Sequence, residues 1–145
     1  MAVHFSFSGI RQNTIYFDMW SVTPTDFDLT TDVRNRYLAV RVRTVSLNAA
    51  IAERFLKEIR LELARYRLGH LLLEFELAHT TGDDEIYEVV KTFTTVMPGL
   101  KIAIANRDPR HHASLLLGIQ ISRESGQDFA YFTDTHVAER WLATR

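Results

Sequence analysis

The chain has 145 residues with no cysteine, 46% apolar and 24% charged residues, and a formal net charge of −1. That length suits one domain with a real core. The missing cysteine excludes disulfides, thiol catalysis and thiolate metal sites, and the balanced charge gives neither a nucleic-acid footprint nor an acidic tail. No apolar run approaches the roughly 18 residues of a membrane span. Residues Met1 to Ser8 carry no basic n-region and no long apolar h-region, so no signal peptide is expected. The expectation is a single cytoplasmic domain over 1–145, with N-terminal strands and a loop over 1–36 and an α/β core over 37–145.

Phe5 and Phe7 alternate with His4, Ser6 and Ser8, and Ile15, Phe17 and Met19 alternate with Thr14, Tyr16 and Asp18. These predict two strands joined by a turn at Gly9–Asn13. Ser21 to Asn35 is polar and holds Pro24 with several Thr and Asp, which predicts a surface loop. Tyr37 to Arg43 reads as a strand, with Leu38, Val40 and Val42 on one side and Ala39, Arg41 and Arg43 on the other. A helix capped by Ser46 follows, its apolar face set by Ile51, Phe55, Ile59 and Leu63 at four-residue spacing. Gly69 is expected to end it in a left-handed conformation.

His70 to Leu77 is the strand that organises the rest. Leu71, Leu73, Phe75 and Leu77 are apolar while Glu74 and Glu76 lie on the other side. A parallel strand covered on both faces is apolar on both, so this alternation predicts helices mainly on one face. A second helix is expected from about Asp84 to Val96, then a strand over Leu100–Ala105. The turn Asn106–Pro109 leads to a third helix over Arg110–Arg123. The last strand is Asp128–Phe132, and Thr133 or Asp134 caps a final helix with Val137, Ala138, Trp141 and Leu142. Strand and helix alternate four times, which argues an α/β fold with a mostly parallel sheet of about four to six strands and right-handed crossovers.

From Tyr37 to Leu142 the chain resembles the SpoIIAA-like, STAS-type family of anti-anti-sigma factors and their bacterial relatives. The most specific part is Asp128-Phe-Ala-Tyr-Phe-Thr-Asp-Thr-His-Val-Ala-Glu-Arg-Trp-Leu142, which is similar to the family's last strand, its Phe-Thr/Ser-Asp corner and its final helix. Leu100–Ala105 resembles the preceding Ile-Ala-Val strand. The resemblance implies a SpoIIAA-like strand–helix superhelix and a non-catalytic module that binds a protein partner. In phosphorylated members the strand equivalent to His70–Leu77 leads to an Asp-Ser-Ser-Gly turn whose Ser accepts phosphate. Here Thr80-Thr81-Gly82 stands in its place, which makes Thr80 and Thr81 the candidate phosphoacceptors. Asp83, Asp84 and Glu85 would repel phosphate there, and the plainer reading is that Thr81 or Asp83 caps the second helix.

Arg41, Arg43, Glu74, Glu76 and Lys101 share the less apolar side of three strands and are read as a ladder of opposite charges and as a candidate interaction face. Glu74 and Glu76 stand about 7 Å apart by strand spacing, a separation also used by glycosidase pairs, but their cationic neighbours favour ion pairing. His79, His111, His112 and His136 lie near strand ends without a metal-ligand spacing, and Arg107-Asp108-Pro109-Arg110 could hold an anion at a helix start or be a solvated turn. No phosphate loop, nucleophile elbow or HExxH motif occurs. No catalytic residue, metal or cofactor is therefore expected. The leading reading is an interaction or regulatory module acting as a homodimer or on another protein. The alternative is a small apolar-ligand or lipid binder with the related CRAL-TRIO architecture.

Overall fold

The computed structural model describes residues 2–6 and 26–144. Six strands, β1 (Ala2–Ser6), β2 (Phe27–Val33), β3 (Leu38–Thr44), β4 (His70–Leu77), β5 (Lys101–Ala105) and β6 (Asp128–Phe132), form one sheet in sequence order. β1, β2 and β3 pair antiparallel, and β3 to β6 pair parallel. The helices are α1 (Ala49–Tyr66), α2 (Asp83–Val96), α3 (His112–Glu124) and α4 (Thr135–Ala143), with a 3-10 turn at Pro109–His111 before α3. The chain is thus α/β with a mixed, mostly parallel sheet.

The main core lies on the back of the sheet. Leu38, Val40 and Val42 of β3, Leu71, Leu73 and Phe75 of β4, and Ile102 and Ile104 of β5 meet Ile51, Phe55 and Ile59 of α1, Val89 and Phe93 of α2, and Leu115 and Ile119 of α3. Phe55 sits edge-on to both Phe27 and Phe75 at 6.0 Å between ring centres, a geometry that matches the positive edge of one ring to the negative face of the next.

Three of the four helices thus share the back, in line with helices mainly on one face, while α4 lies on the front. Its Ala138 and Leu142 pack on Ala39, Leu72, Ala103 and Ala105, with Tyr37, Phe132 and Trp141 at the margin. The rule of right-handed crossovers fixes α1, α2 and α3, each of which joins two parallel neighbours in the same direction. No strand of the sheet follows α4, so that rule does not bind it. It runs from the C-terminal edge of the strands down to Lys101.

The expected loop over Ser21–Asn35 contains β2. Phe27, Leu29 and Thr31 are buried on the back of the sheet, so β2 shares the core that the strands from β3 onward build. The expected turn at Gly9–Asn13, the Ile15–Met19 strand and Trp20 lie outside the described residues. α1 is capped by Asn48, whose Oδ1 accepts from Ile51 N at 2.9 Å, and not by Ser46. The left-handed residue at its end is Arg67, φ 55°, and not Gly69. α2 starts after Gly82 with no side-chain cap, so neither Thr81 nor Asp83 has the expected role. Asp134 caps α4 as the sequence suggested, accepting from His136 N at 2.7 Å.

A charged cleft at the C-terminal edge of the sheet

β5 hands the chain to α3 behind the sheet, whereas β6 hands it to α4 in front. The connections therefore part between the C-terminal ends of β5 and β6, the place where open α/β sheets form a crevice. A cleft of about 530 Å³ opens there between α4 and the ends of β3, β4 and β5. Its walls carry Arg34, Arg41, Glu74, Glu76, Arg107 and Glu139, with Ala105 among the lining residues. The alternation that makes β4 apolar on the back delivers Glu74 and Glu76 to this front edge.

The register puts Arg41 opposite Glu74 and Arg43 opposite Glu76. The nearest charged atoms are 4.0 Å and 3.8 Å apart, too far for hydrogen bonds. Arg41 is 58% exposed in its side chain, and an exposed pair of this kind contributes about 0–1 kcal/mol. Asp28 faces Arg43 from β2, an acidic neighbour hidden from sequence reading by the loop assignment. Glu74 also accepts from the Thr135 hydroxyl at 3.1 Å, which ties the first residue of α4 to β4.

Lys101 does not belong to this ladder. It pairs in register with His70, at the opposite end of β4 from Glu76. It is only 7% exposed. Its Nζ donates to the carbonyls of Trp141 at 3.0 Å and Thr144 at 2.6 Å and lies 4.6 Å from the centre of the Trp141 ring. The Trp141 carbonyl also accepts from the Thr144 amide at 3.1 Å, and a cation suits the negative end of the helix dipole. Lys101 locks α4 to the sheet.

A second network holds the other end of α4. Tyr37 Oη donates to Glu139 Oε2 at 2.5 Å, and Arg34 donates to the same oxygen at 2.8 Å and to Asp32 at 2.8 Å. His136 Nδ1 is 3.3 Å from the other Glu139 oxygen. The Tyr37 hydrogen bond, then the charges of Arg34 and His136, hold the Glu139 carboxyl below the usual carboxylate range. Partial burial, then the Glu139 bond, raise the Tyr37 hydroxyl above its usual value. Tyr37 and Glu139 are 102 positions apart, and no sequence pattern links them.

Asn106 sets the floor between the strand ends. It is buried; its Nδ2 donates to Phe75 O at 3.1 Å, and its Oδ1 accepts from Asp108 N at 2.8 Å. Its own N donates to Phe132 O at 3.1 Å, and its carbonyl accepts from Tyr131 Oη at 3.2 Å. Every polar group of Asn106 is thereby engaged, and the residue fastens β4 and β6 to the loop that carries Arg107. In that loop Arg110 grips Asp108 with two donors at 3.0 Å and 2.7 Å, which holds the Asp108 carboxyl down at about 2. Asp108 also accepts from Arg110 N, so the Arg110 half of the candidate anion site at this turn is filled by the chain's own carboxylate, while Arg107 lies outside that pairing.

The histidines point in separate directions. His111 is buried with Nε2 3.0 Å from Leu77 O, an arrangement that calls for the proton on Nε2. His112 meets the Tyr131 ring at 5.3 Å, and the amide of His79 donates to Val45 O. Among the described residues no group of three potential ligands converges on a metal position. Thr80 is exposed, Thr81 is 8% exposed, and the Thr81 carbonyl accepts from the Ser114 hydroxyl at 2.8 Å. The acidic turn beside them is also in use, since Glu85 accepts from Ala49 N at the start of α1. Among the described residues no helix is long and apolar enough to cross a membrane.

No family model matches the chain, and no curated protein matches it.

Proposed function

We propose that the chain is a non-catalytic, STAS-type interaction or regulatory module, SpoIIAA-like and cytoplasmic, that pairs with a second copy of itself or with another protein. The observation that carries this reading is the unclosed charge ladder on the half of the front face beside α4. Arg41 and Arg43 stand in register with Glu74 and Glu76, yet neither pair reaches hydrogen-bonding distance. Adjacent stripes of opposite sign offer a partner charge complementarity, which directs encounter and register more than it adds affinity. Lys101, sequestered under α4, takes no part.

The apolar-ligand alternative draws little support from the described core. A pocket for a lipid-sized ligand needs about 300 Å³ or more, and the apolar void lined by α2, α3 and the sheet measures about 30 Å³. Sedimentation velocity combined with native mass spectrometry on the gently purified full chain tests the proposal. A dimer or a protein complex is expected, weakening as salt screens the ladder and weakening further in Arg41→Glu. A monomer at every salt concentration, with no protein bound in the mass spectrum, sinks it. A bound small apolar molecule in that spectrum would favour the alternative.

A further inference from the structure

We propose that the cleft at the strand ends binds a small zwitterion of the amino-acid type, with its carboxylate on Arg107 and its ammonium between Glu74 and Glu76. This goes beyond the interaction-module reading and stands or falls separately from it. The place is the divergence of the β5 and β6 connections, and the volume of about 530 Å³ is within the range of small-molecule sites.

The lining decides the class of ligand. Arg34, Arg41 and Arg107 face Glu74, Glu76 and Glu139 across the same space, three cations against three carboxylates, so a ligand of one strong charge meets as much repulsion as attraction. A ligand carrying both signs meets neither unpaired. Not all six groups are available to it. Arg34 and Glu139 are spent on each other and on Asp32 and Tyr37. Among the described residues no hydrogen bond or ion pair engages the Arg107 side chain. Glu74 and Glu76 reach their arginines only at 4.0 Å and 3.8 Å, and one strand step of two residues sets them about 7 Å apart. What remains is one guanidinium with no hydrogen bond, whose charge reaches the Asp134 carboxylate without pairing to it, and two under-used carboxylates.

The frame is also rigid in advance. Asn106 uses all its polar groups to fix the residue before Arg107, and Thr135 holds Glu74 from the other side. Fixing these groups beforehand lowers the ordering cost of binding. A guanidinium matches a carboxylate with two parallel donors, and Ala105 leaves room where a larger side chain would fill the cleft.

The test is calorimetric titration of the full chain with glycine, β-alanine, 4-aminobutyrate and 6-aminohexanoate, with butyrate and butylammonium as single-charge controls. Saturable binding with an optimum in chain length is expected, about tenfold or more tighter than either control. Arg107→Gln and Glu76→Gln should each weaken the best ligand about tenfold while leaving the melting temperature within a degree or two, since neither side chain holds the fold. Absence of binding across the series overturns the proposal. So does binding of a single-charge control as tight as the zwitterion, or affinity unchanged in both variants.

Discussion

The two faces of the sheet are built from opposite materials. Behind it, Leu38, Leu71, Leu73, Phe75 and Ile102 interdigitate with three helices around large, fully buried side chains. In front, Ala39, Ala103 and Ala105 leave a shallow bed in which one helix of nine residues rests on Ala138 and Leu142. The back is held by apolar area, about 25 cal/mol for each Å² buried. The front has little such area, and α4 is fastened at both ends by polar groups instead: Thr135 and Glu139 at the top, Lys101 at the bottom. A face that relies on polar fasteners must keep charge near the strand ends, and there the cleft opens.

The largest expected difference between the faces comes from truncating the back. Phe75 is 5% exposed and lies edge-on to Phe55. Phe75→Ala should destabilise the protein by about 3–5 kcal/mol, the cost of removing a buried ring and leaving a cavity. Chemical denaturation measures it, and a loss under about 1 kcal/mol would mean that the back core is not the main source of stability.

Overfilling probes the front. Ala103 has no exposed surface and lies beneath α4. Ala103→Leu adds bulk to a bed whose depth is set by methyl groups, and should cost about 1–3 kcal/mol. Because α4 carries Trp141, its displacement should also change tryptophan fluorescence before the global transition. If the fluorescence and the backbone signal move together with no loss of stability, α4 is not seated as tightly as described.

The same contrast explains what was legible in the sequence. Alternation on β3, β4 and β5 and the four-residue rhythm of α1 report directly on the back face, because large apolar residues recur there with the period of each element. β2 was hidden: Asp28, Thr30 and Asp32 supply its front face, and polar residues at every second position of a short strand look like a loop. Its back face, Phe27, Leu29, Thr31 and Val33, carried the alternation all the same. The side on which α4 packs had no local signal, since alanines on a strand are compatible with solvent or with a close helix. Lys101 was misplaced for a related reason. Side alternation puts it on the front, but only the register against β4 puts it at the far end from Glu74. The cleft was half visible, through Arg41, Glu74 and Glu76. Tyr37, Arg34 and Glu139 come together only through the placement of α4.

Acid should loosen the front before the back, and this is the smallest effect expected. Glu139 is the acceptor on which Tyr37 and Arg34 both converge, and its carboxyl titrates below the usual value of 4.5 because the Tyr37 hydroxyl and then the nearby cations favour the charged form. A depressed carboxyl contributes stability above its unfolded value, and the contribution is lost as pH falls through the folded one. Stability should therefore be level in this respect at neutral pH and decline below about pH 4.5. Glu139→Gln removes the titrating group and should flatten that part of the acid limb while costing a little stability at pH 7, because the amide accepts a weaker bond from Arg34. Asp108 and Asp134 are also depressed, so part of the acid limb must survive the substitution. Denaturation of both proteins between pH 3 and 7, the range spanning the usual carboxylate values, resolves the difference. An identical acid limb in wild type and Glu139→Gln would show that the Tyr37–Glu139–Arg34 network does not fasten α4, and would leave Lys101 as its principal polar anchor.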